Sequence, residues 1–350
     1  MKGFNVRLLA VLLAVLLVVT LAGCGGGKES PAGSAGQNKT LTIYTALNEN
    51  EIGTYFKGFE AKTGIKVSFV RLSAGEIITR LKAEKNNPRA SAVFGGPSDT
   101  FIAMAKDGLL EQYKSPASAS VPEQFKDKDG YWSPLYIGIL GFGTNTQLAE
   151  KKGIKPPESW DDLLKPEFKG LVSIAHPGSS GTSYTVLAAL VQMWGEDKAF
   201  DYLKKLNANV RTYEKAGAAP AQQAGLGEAL VGICFSHDIL IPKNEGFPLV
   251  LTFPQEGSGY EIGAMALVKN GLAAEKENAK AFIDYFAGKE GQELYETAKT
   301  FRLPVNPDAK VPQGAVKLAD IKTVKYDNVW AGENRARLVD KFTKTVLAKP

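Results

Sequence analysis

Residues 132–143 of this chain read WSPLYIGILGFG, an apolar stretch of β-forming residues with three glycines. It is roughly twice as long as the usual strand of five or six residues. A strand of this length is able to leave one lobe of a protein and enter a second. The chain has 350 residues, more than one hydrophobic core usually serves, so the stretch predicts a strand that connects two lobes.

Strand-like and helix-like segments alternate on both sides of this stretch. Residues 41–44 and 65–72 predict strands, and apolar residues recur at helical spacing over residues 48–63 between them. Further strands are predicted over residues 92–94, 171–175, 210–213, 230–235, 247–253 and 259–268, and further helices over 74–85, 100–107, 181–207, 273–299 and most of 317–349. This alternation indicates an α/β fold with largely parallel sheets.

The first 39 residues have the pattern of an export signal followed by a tether. Lys2 and Arg7 precede an apolar run over residues 8–22, which is shorter than the roughly 20 residues of a membrane span. The following Ala-Gly-Cys24 resembles the lipobox of bacterial lipoproteins, which implies removal of residues 1–23 and acylation of Cys24. Residues 24–39 are rich in Gly and Ser and predict a flexible tether. We therefore expect an exported protein, lipid-anchored on the periplasmic side or outer face of the cytoplasmic membrane; an uncleaved anchor helix is the alternative.

Composition argues against some classes of partner. The formal net charge is +5 for 350 residues, and no long run of Lys or Arg occurs, so nucleic-acid binding has no support.

The chain has two cysteines, and acylation of Cys24 leaves Cys234 without an internal disulfide partner. Cys234 lies in an apolar stretch and is predicted to be a buried thiol.

The loop over residues 177–183 (PGSSGTS) opens a predicted helix and is a candidate anion site. Helix starts present free backbone N–H groups and the positive end of the helix dipole. The candidate ligand-binding residues here are Ser179, Ser180, Gly181 and Thr182. Ordinary helix capping by Ser180 or Thr182 is the alternative.

Other candidate residues lie at the ends of further predicted strands. Gly96 and Ser98 repeat the order of strand, glycine turn, hydroxyl and helix, with a plain turn as the alternative. Tyr44, Thr45 and Asn48 lie where the first strand meets its helix, and they either bind ligand or cap that helix. Ligands of open α/β sheets bind beyond the carboxyl ends of strands, where these loops meet.

Three further candidates would hydrogen-bond to the polar groups of a solute: His237, Asp238 and Glu261. His237 and Asp238 follow the buried-type strand LVGICF, and capping of the next turn by Asp238 is the alternative. Glu261 lies inside a β-forming run, where a charge needs a partner. The second histidine of the chain, His176, also falls in a predicted cleft loop.

Six short stretches, in this order, resemble the bacterial family 1 extracellular solute-binding proteins. They are residues 43–46 (IYTA), 94–99 (FGGPSD), 179–184 (SSGTSY), 213–220 (YEKAGAAP), 231–238 (VGICFSHD) and 260–264 (YEIGA). The resemblance covers about residues 40–308. Within the family, the chain resembles the branch that binds ferric iron, hexose phosphates and aminoethylphosphonate.

The resemblance implies a periplasmic-binding-protein type II fold, with two hinged lobes and a ligand cleft between them. Lobe 1 is then expected over residues 40–137 and 263–310, lobe 2 over residues 138–262, and C-terminal helices that pack on the lobes over residues 311–350. It further implies that the lobes close on the solute and that the closed form docks on an ABC permease with its ATPase. We expect a monomer without a cofactor.

Among solutes, the sequence favours an organic phosphate, with a sugar phosphate ahead of a phosphonate. Residues 179–182 supply donors for the anion, and Asp238 and Glu261 supply acceptors for hydroxyl groups. Ferric iron is the alternative, and it prefers phenolate and carboxylate ligands. Iron binders of this family show adjacent tyrosines where this chain has Ser236, His237 and Asp238, and no Tyr-Tyr pair occurs in the chain. If iron were the solute, His237 and Asp238 would be its ligands.

A secreted enzyme is the third hypothesis for the function of this chain. No Gly-x-Ser-x-Gly elbow follows a predicted strand, and neither a His-Glu-x-x-His nor a Cys-x-x-Cys motif occurs. The sequence therefore predicts a binding protein without catalytic activity.

Overall fold

A computed structural model describes residues 39–348 of the chain. The predicted signal peptide, the predicted acylation site Cys24 and nearly all of the predicted tether lie outside the described residues. The strands are β1 (Thr40–Thr45), β2 (Lys66–Arg71), β3 (Ala92–Pro97), β4 (Leu110–Glu111), β5 (Ser133–Asn145), β6 (Val172–Ala175), β7 (Val210–Glu214), β8 (Val231–Phe235), β9 (Leu249–Thr252), β10 (Tyr260–Val268) and β11 (Leu303–Pro304).

The helices alternate with these strands over most of the described chain. They are α1 (Glu49–Thr63), α2 (Ala74–Ala83), α3 (Ser98–Lys106), α4 (Thr146–Lys152), α5 (Gly181–Trp194), α6 (Glu196–Asn207), α7 (Ala219–Leu226), α8 (Ser236–Asn244), α9 (Lys276–Ala287), α10 (Lys289–Thr297) and α11 (Asn328–Thr345). Among these helices, none is both long and apolar enough to span a membrane.

Strand β5 belongs to two sheets and confirms the predicted connection between lobes. Its first half pairs with β10 and β11, and from Leu140 onward it pairs with β8 and β9. The first sheet has the order β2-β1-β3-β10-β5, and the second has the order β5-β8-β6-β7. Lobe 1 is built on the first sheet and lobe 2 on the second, and the chain returns to lobe 1 through β10.

The sheets are mixed, so the prediction of largely parallel sheets is wrong in this respect. The pairs β1–β2, β1–β3, β6–β7 and β6–β8 are parallel, whereas β10 is antiparallel to both β3 and β5, and β5 is antiparallel to β8. The reason is the course of the chain: β5 leaves lobe 1, β10 re-enters it, and the two strands lie side by side in opposite directions.

Each lobe has its own hydrophobic core. In lobe 1 the predicted apolar face of α1 is buried, and Phe59 packs edge-on against Phe282 of α9 with ring centroids 5.1 Å apart. In lobe 2 Trp160 packs edge-on against Phe142 of β5 at 5.0 Å. Cys234 is fully buried in β8, as predicted.

The C-terminal helix α11 packs against both lobes. Arg335 forms a buried ion pair of 3.2 Å with Asp99 of α3, and the hydroxyl of Tyr184 of α5 donates to the carbonyl oxygen of Ala331. The prediction of a mostly helical segment over residues 317–349 is wrong in its first part. The helix begins only at Asn328, where the Asp327 side chain accepts the N–H of Trp330, and the preceding residues form a loop with one short 3-10 turn.

Candidate functional site

A cavity lies between the two lobes, and six helices begin at its wall. Helices α1, α2 and α3 of lobe 1 and α5, α7 and α8 of lobe 2 each contribute a residue from the N-cap or first turn. The lining residues are Ala46, Leu47, Asn48, Arg71, Ser73, Ala74, Gly96, Pro97, Tyr136, Ser180, Gly181, Thr182, Gly217, Ala218, Phe235, His237, Asp238, Glu261 and Arg302. Because free N–H groups and positive dipole ends meet here, the cavity wall favours an anion.

In lobe 1 the loops before α2 and α3 form part of the wall. The backbone N–H and the hydroxyl of Ser73 both donate to the Glu76 carboxylate, at 2.9 and 2.7 Å, which fixes the start of α2. Gly96 has a φ of 101°, a left-handed conformation that side-chain-bearing residues rarely adopt. The prediction that this strand stops at Phe94 is wrong, because Pro97 still pairs with Gly263 of β10.

In lobe 2 the loop before α5 forms the facing wall. The Ser180 hydroxyl oxygen accepts the backbone N–H of Ser183 at 3.2 Å, so the capping role is present. As an acceptor in that bond, the hydroxyl keeps its hydrogen for a ligand. Gly217 leaves room beside Thr182, since a Cβ at position 217 would lie 2.1 Å from the Thr182 Oγ1.

Arg302 is a buried cation in the cavity wall and is 2% exposed. Its Nε and Nη2 atoms donate to Oε2 of Glu51 at 3.1 and 2.7 Å. Its guanidinium lies 4.2 Å from the ring centroid of Tyr136. The ion pair and the aromatic ring hold the planar guanidinium in one orientation, with Nη1 directed to His237.

His237 is held in a single neutral form by Arg302. Nη1 of Arg302 donates to Nε2 of His237 at 2.8 Å, and a guanidinium has no acceptor atom, so the ring hydrogen lies on Nδ1. Burial and then the charge of Arg302 hold the pKa of His237 well below its ordinary value. Within residues 39–348, Nδ1 has no hydrogen-bond partner. Buried donors are normally paired, so this N–H is available to a ligand acceptor.

Asp238 and Glu261 are buried acids in the same wall. Burial raises the pKa of Asp238 to about 7, against the lowering effect of the Arg302 charge. Burial raises the pKa of Glu261 well above its ordinary value, against the lowering effect of the Arg302 charge. Its Oε2 atom has no partner in the described part of the chain. This buried oxygen is therefore available for a hydrogen bond to a ligand.

The structure brings eight of the twelve residues predicted from sequence to this cavity. They are Asn48, Gly96, Ser180, Gly181, Thr182, His237, Asp238 and Glu261. Their common property is position: each lies at a strand end, at the N-cap of a helix or in its first turn, apart from Glu261, which lies in β10.

The other four residues, Tyr44, Thr45, Ser98 and Ser179, do not line the cavity. The Tyr44 hydroxyl donates to Glu84 at 2.7 Å, and Oγ1 of Thr45 accepts the N–H of Leu47. The Ser98 hydroxyl accepts from Asn328, the first residue of α11, and the Ser179 hydroxyl donates to the carbonyl oxygens of His176 and Lys215. His176 is also outside the lining, and its Nδ1 accepts the N–H of Gly178. Local side-chain bonding of this kind is common for hydroxyl residues at strand ends.

Sequence reasoning missed Arg71, Tyr136 and Arg302 as lining residues. Arg71 is the last residue of β2. A polar residue at a strand end is the signal that selected other candidates, and it would have selected Arg71 too. Arg302 gives no local signal, because it lies in a loop between α10 and β11, far along the chain from its partners Glu51 and His237.

The lobes are in contact across the cleft. Lys215 of lobe 2 forms a 2.5 Å ion pair with Glu76 of lobe 1, and the Arg302–His237 hydrogen bond also joins the two lobes. The described conformation is therefore a closed one.

No group of three or more His, Cys, Asp and Glu residues within residues 39–348 is placed to hold a metal ion. His237 already uses the lone pair of Nε2 to accept from Arg302. This arrangement differs from the donor set that ferric iron prefers, in which anionic oxygens converge.

Residues 97–330 match the sequence profile of the bacterial extracellular solute-binding proteins. An uncharacterized protein of Haemophilus influenzae is 40% identical over 327 residues, which cover 91% of this chain and 94% of the relative. The Fe(3+)-binding periplasmic protein of Serratia marcescens is 25% identical over 325 residues, covering 90% and 93%.

A solved structure resembles both lobes together. The periplasmic binding protein AfuA of Actinobacillus pleuropneumoniae, with fructose-6-phosphate bound, superposes with a TM-score of 0.86 at 39% identity, covering 89% of this chain and all of that one. By sequence and by fold, the chain belongs to the family of bacterial extracellular solute-binding proteins.

Proposed function

We propose that this protein captures a small solute carrying a phosphate or phosphonate group, a sugar phosphate in the first place, and delivers it to an ABC importer. The observation that carries the proposal is the convergence of six helix starts and two arginines, Arg71 and Arg302, on one cavity between the lobes. A phosphate group accepts several hydrogen bonds at once, and arginine matches its geometry.

The protonation states of the buried groups support the same ligand class. His237 is a neutral donor, and burial raises the pKa of Glu261, which favours its uncharged form. Both effects reduce the negative charge that faces an anion. Asp238, with a pKa of about 7, is the acceptor that suits a hydroxyl group. The fructose-6-phosphate bound to the related AfuA supports a sugar phosphate ahead of a phosphonate.

The mechanism that we propose is capture by lobe closure. The lobes turn about the crossing strands β5 and β10, near residues 138 and 262, and the walls that carry Asn48 and Ser180 meet around the solute. The closed form then docks on a permease with its ATPase. No cofactor takes part, and the protein acts as a monomer.

We further propose that the exported chain is anchored through an acylated Cys24, with residues 24–39 as the tether. The support is the lipobox-like Ala-Gly-Cys24 and the Gly/Ser-rich stretch behind it. Membership of an extracellular solute-binding family agrees with export.

Ferric iron remains the competing solute because a relative that binds it is 25% identical. The site weighs against iron, since Arg302 places a positive charge 2.8 Å from the Nε2 atom of His237.

Catalysis is disfavoured for a related reason. A serine nucleophile such as Ser180 needs a general base. The Nε2 atom of His237 already accepts a hydrogen bond from the Arg302 guanidinium, so it is not free to take the serine proton.

Thermal unfolding of the full chain, purified in detergent, tests the proposal. The panel holds fructose 6-phosphate, 2-aminoethylphosphonate, inorganic phosphate and ferric citrate. A ligand at 100 times its dissociation constant adds about 2.7 kcal/mol to stability, which raises Tm by several degrees. We expect a shift with the organic phosphate and none with ferric citrate. A shift with ferric citrate alone would overturn the proposal in favour of iron.

A further inference from the structure

A second cavity lies within lobe 1, between the loop over residues 112–132 and the start of β5. Its volume is about 280 Å³, close to the roughly 300 Å³ at which small-molecule sites begin. It shares no lining residue with the cavity between the lobes. We call it the lobe 1 cavity.

Two buried polar groups in the wall of the lobe 1 cavity have no partner. Trp132 and Ser118 both line the cavity and are only 4% and 8% exposed. Within residues 39–348, neither Nε1 of Trp132 nor Oγ of Ser118 forms a hydrogen bond. An indole N–H can only donate, and buried donors are normally paired. These two groups therefore call for an acceptor oxygen.

The charged residues of the same wall favour an anion. Three lysines, Lys114, Lys126 and Lys128, face two acids, Glu123 and Asp127, so the formal charge of the wall is +1. Both acids already have partners, since Lys126 donates to Glu123 at 2.9 Å and Asp127 accepts a backbone N–H at 2.6 Å. In the described part of the chain, Lys114 and Lys128 are exposed and have no ion-pair partner.

The loop holds Lys114 beside the cavity. Gly130 has a φ of 78°, and a Cβ on this residue would lie 2.7 Å from Cγ of Lys114. The side chain of Lys114 therefore lies directly over Gly130, where any larger residue would displace it. This packing restricts the lysine, although its ammonium group has no partner.

We propose that the lobe 1 cavity binds a small organic carboxylate, at a site separate from the one between the lobes. The carboxylate accepts hydrogen bonds from Trp132 and Ser118, and Lys114 and Lys128 supply the opposite charge. A wall charge of +1 matches one carboxylate, whereas a doubly charged phosphate is repelled more strongly by the two acids. The inference goes beyond the proposed function and does not depend on it.

NMR of the full chain, in a non-ionic detergent and labelled with ¹⁵N-tryptophan, tests this site. The chain has four tryptophans, and the indole N–H peak of Trp132 is the one absent from the Trp132→Phe variant. Acetate, butyrate and inorganic phosphate are each titrated at constant ionic strength. We expect both carboxylates to move the Trp132 peak in a saturable manner while the other three peaks stay in place. Butyrate should bind about two- to fivefold more tightly than acetate, because its additional CH₂ groups are removed from water.

Three variants test the residues that would hold the carboxylate. Ser118→Ala, Lys114→Gln and Lys128→Gln should each weaken the binding of butyrate about three- to fivefold. All three keep Trp132, so they retain the peak that reports binding. The matched control is Lys57→Gln, at an exposed lysine of α1 outside both cavities, and it should bind butyrate as tightly as the unmodified protein does.

Several results would overturn the inference. A Trp132 peak that no carboxylate moves means that the cavity binds none, and a joint shift of all four peaks means that the salt acts on the whole protein. A tighter response to phosphate than to butyrate refutes the carboxylate as the ligand class. Equal affinity of the unmodified protein and the three variants refutes the assigned contacts. None of these results concerns the cavity between the lobes, so the proposed function stands or fails separately.

Discussion

The backbone N–H of Gly75 donates a hydrogen bond of 2.8 Å to the carbonyl oxygen of Ser179. Gly75 lies in the first turn of α2 in lobe 1, and Ser179 lies in the loop before α5 in lobe 2, so this bond directly joins the lobes. A Cβ on residue 75 would lie 2.0 Å from the carbonyl oxygen of Gly178, far inside van der Waals contact. Glycine is therefore needed at this position for closure.

The Gly75→Ala variant is expected to fold normally and to bind solute at least about tenfold more weakly. Alanine favours a helix over glycine by up to about 1 kcal/mol, so the stability of lobe 1 does not suffer. Affinity is measured by titration, and closure by small-angle scattering with and without solute. The control is Gly53→Ala in α1, where nothing lies within 4 Å of the added Cβ. Unchanged affinity in Gly75→Ala would show that the lobes bind solute without this contact.

Replacing Arg302 is expected to leave Glu51 as an unpaired buried charge. The Arg302→Met variant should lose about 3–5 kcal/mol of unfolding free energy, because both partners of this pair are almost fully buried. Adding Glu51→Gln to that variant should restore part of the loss. Chemical denaturation of the four proteins of this double-mutant cycle measures the coupling. Additive losses would mean that the ion pair contributes little.

Asp238 predicts a pH dependence of stability. Its pKa is about 7 in the folded protein, above the ordinary value of an aspartate near 4. The folded state therefore keeps a proton that the unfolded chain has released, and the stability present below about pH 4 is lost as pH rises to about 7. In the Asp238→Asn variant this loss is absent, so its stability relative to the unmodified protein should rise by about 2–4 kcal/mol from pH 4 to pH 8. Asp320→Asn, at an exposed aspartate, is the control, and parallel profiles for Asp238→Asn and the unmodified protein would contradict the prediction.

The ion pairs of α11 differ in burial, and their loss should differ in cost. Arg335→Met removes the buried partner of Asp99 and should cost about 3 kcal/mol of unfolding free energy. Arg337→Met, on the same helix, breaks an exposed pair with Glu196 and should cost at most about 1 kcal/mol. Thermal unfolding of both variants provides the comparison. Equal costs would mean that α11 does not hold the lobes through Arg335.

Part of the cavity lining was predictable because short sequence patterns indicate it. Ser180, Gly181 and Thr182 form a glycine and hydroxyl loop before a helix, and the backbone geometry of such a loop depends on neighbouring residues alone. The same rule selected Asn48 and Gly96, which line the cavity. It included Ser98 and Ser179 as well, because a local pattern does not say which way a hydroxyl turns.

The sequence by itself determined the two-lobed α/β fold, through β5 and the alternation of strands and helices, and it determined the position of the glycine loops. These features depend on the period of apolar residues and on turn chemistry, both of which are local. Only the tertiary structure decided which charges meet. Arg302 reaches Glu51 and His237 from more than sixty residues away along the chain. Burial of His237, Asp238 and Glu261 shifts the pKa of each of them. Long-range packing determines the distance between these charges and the burial of these polar groups, and no local pattern in the chain encodes either.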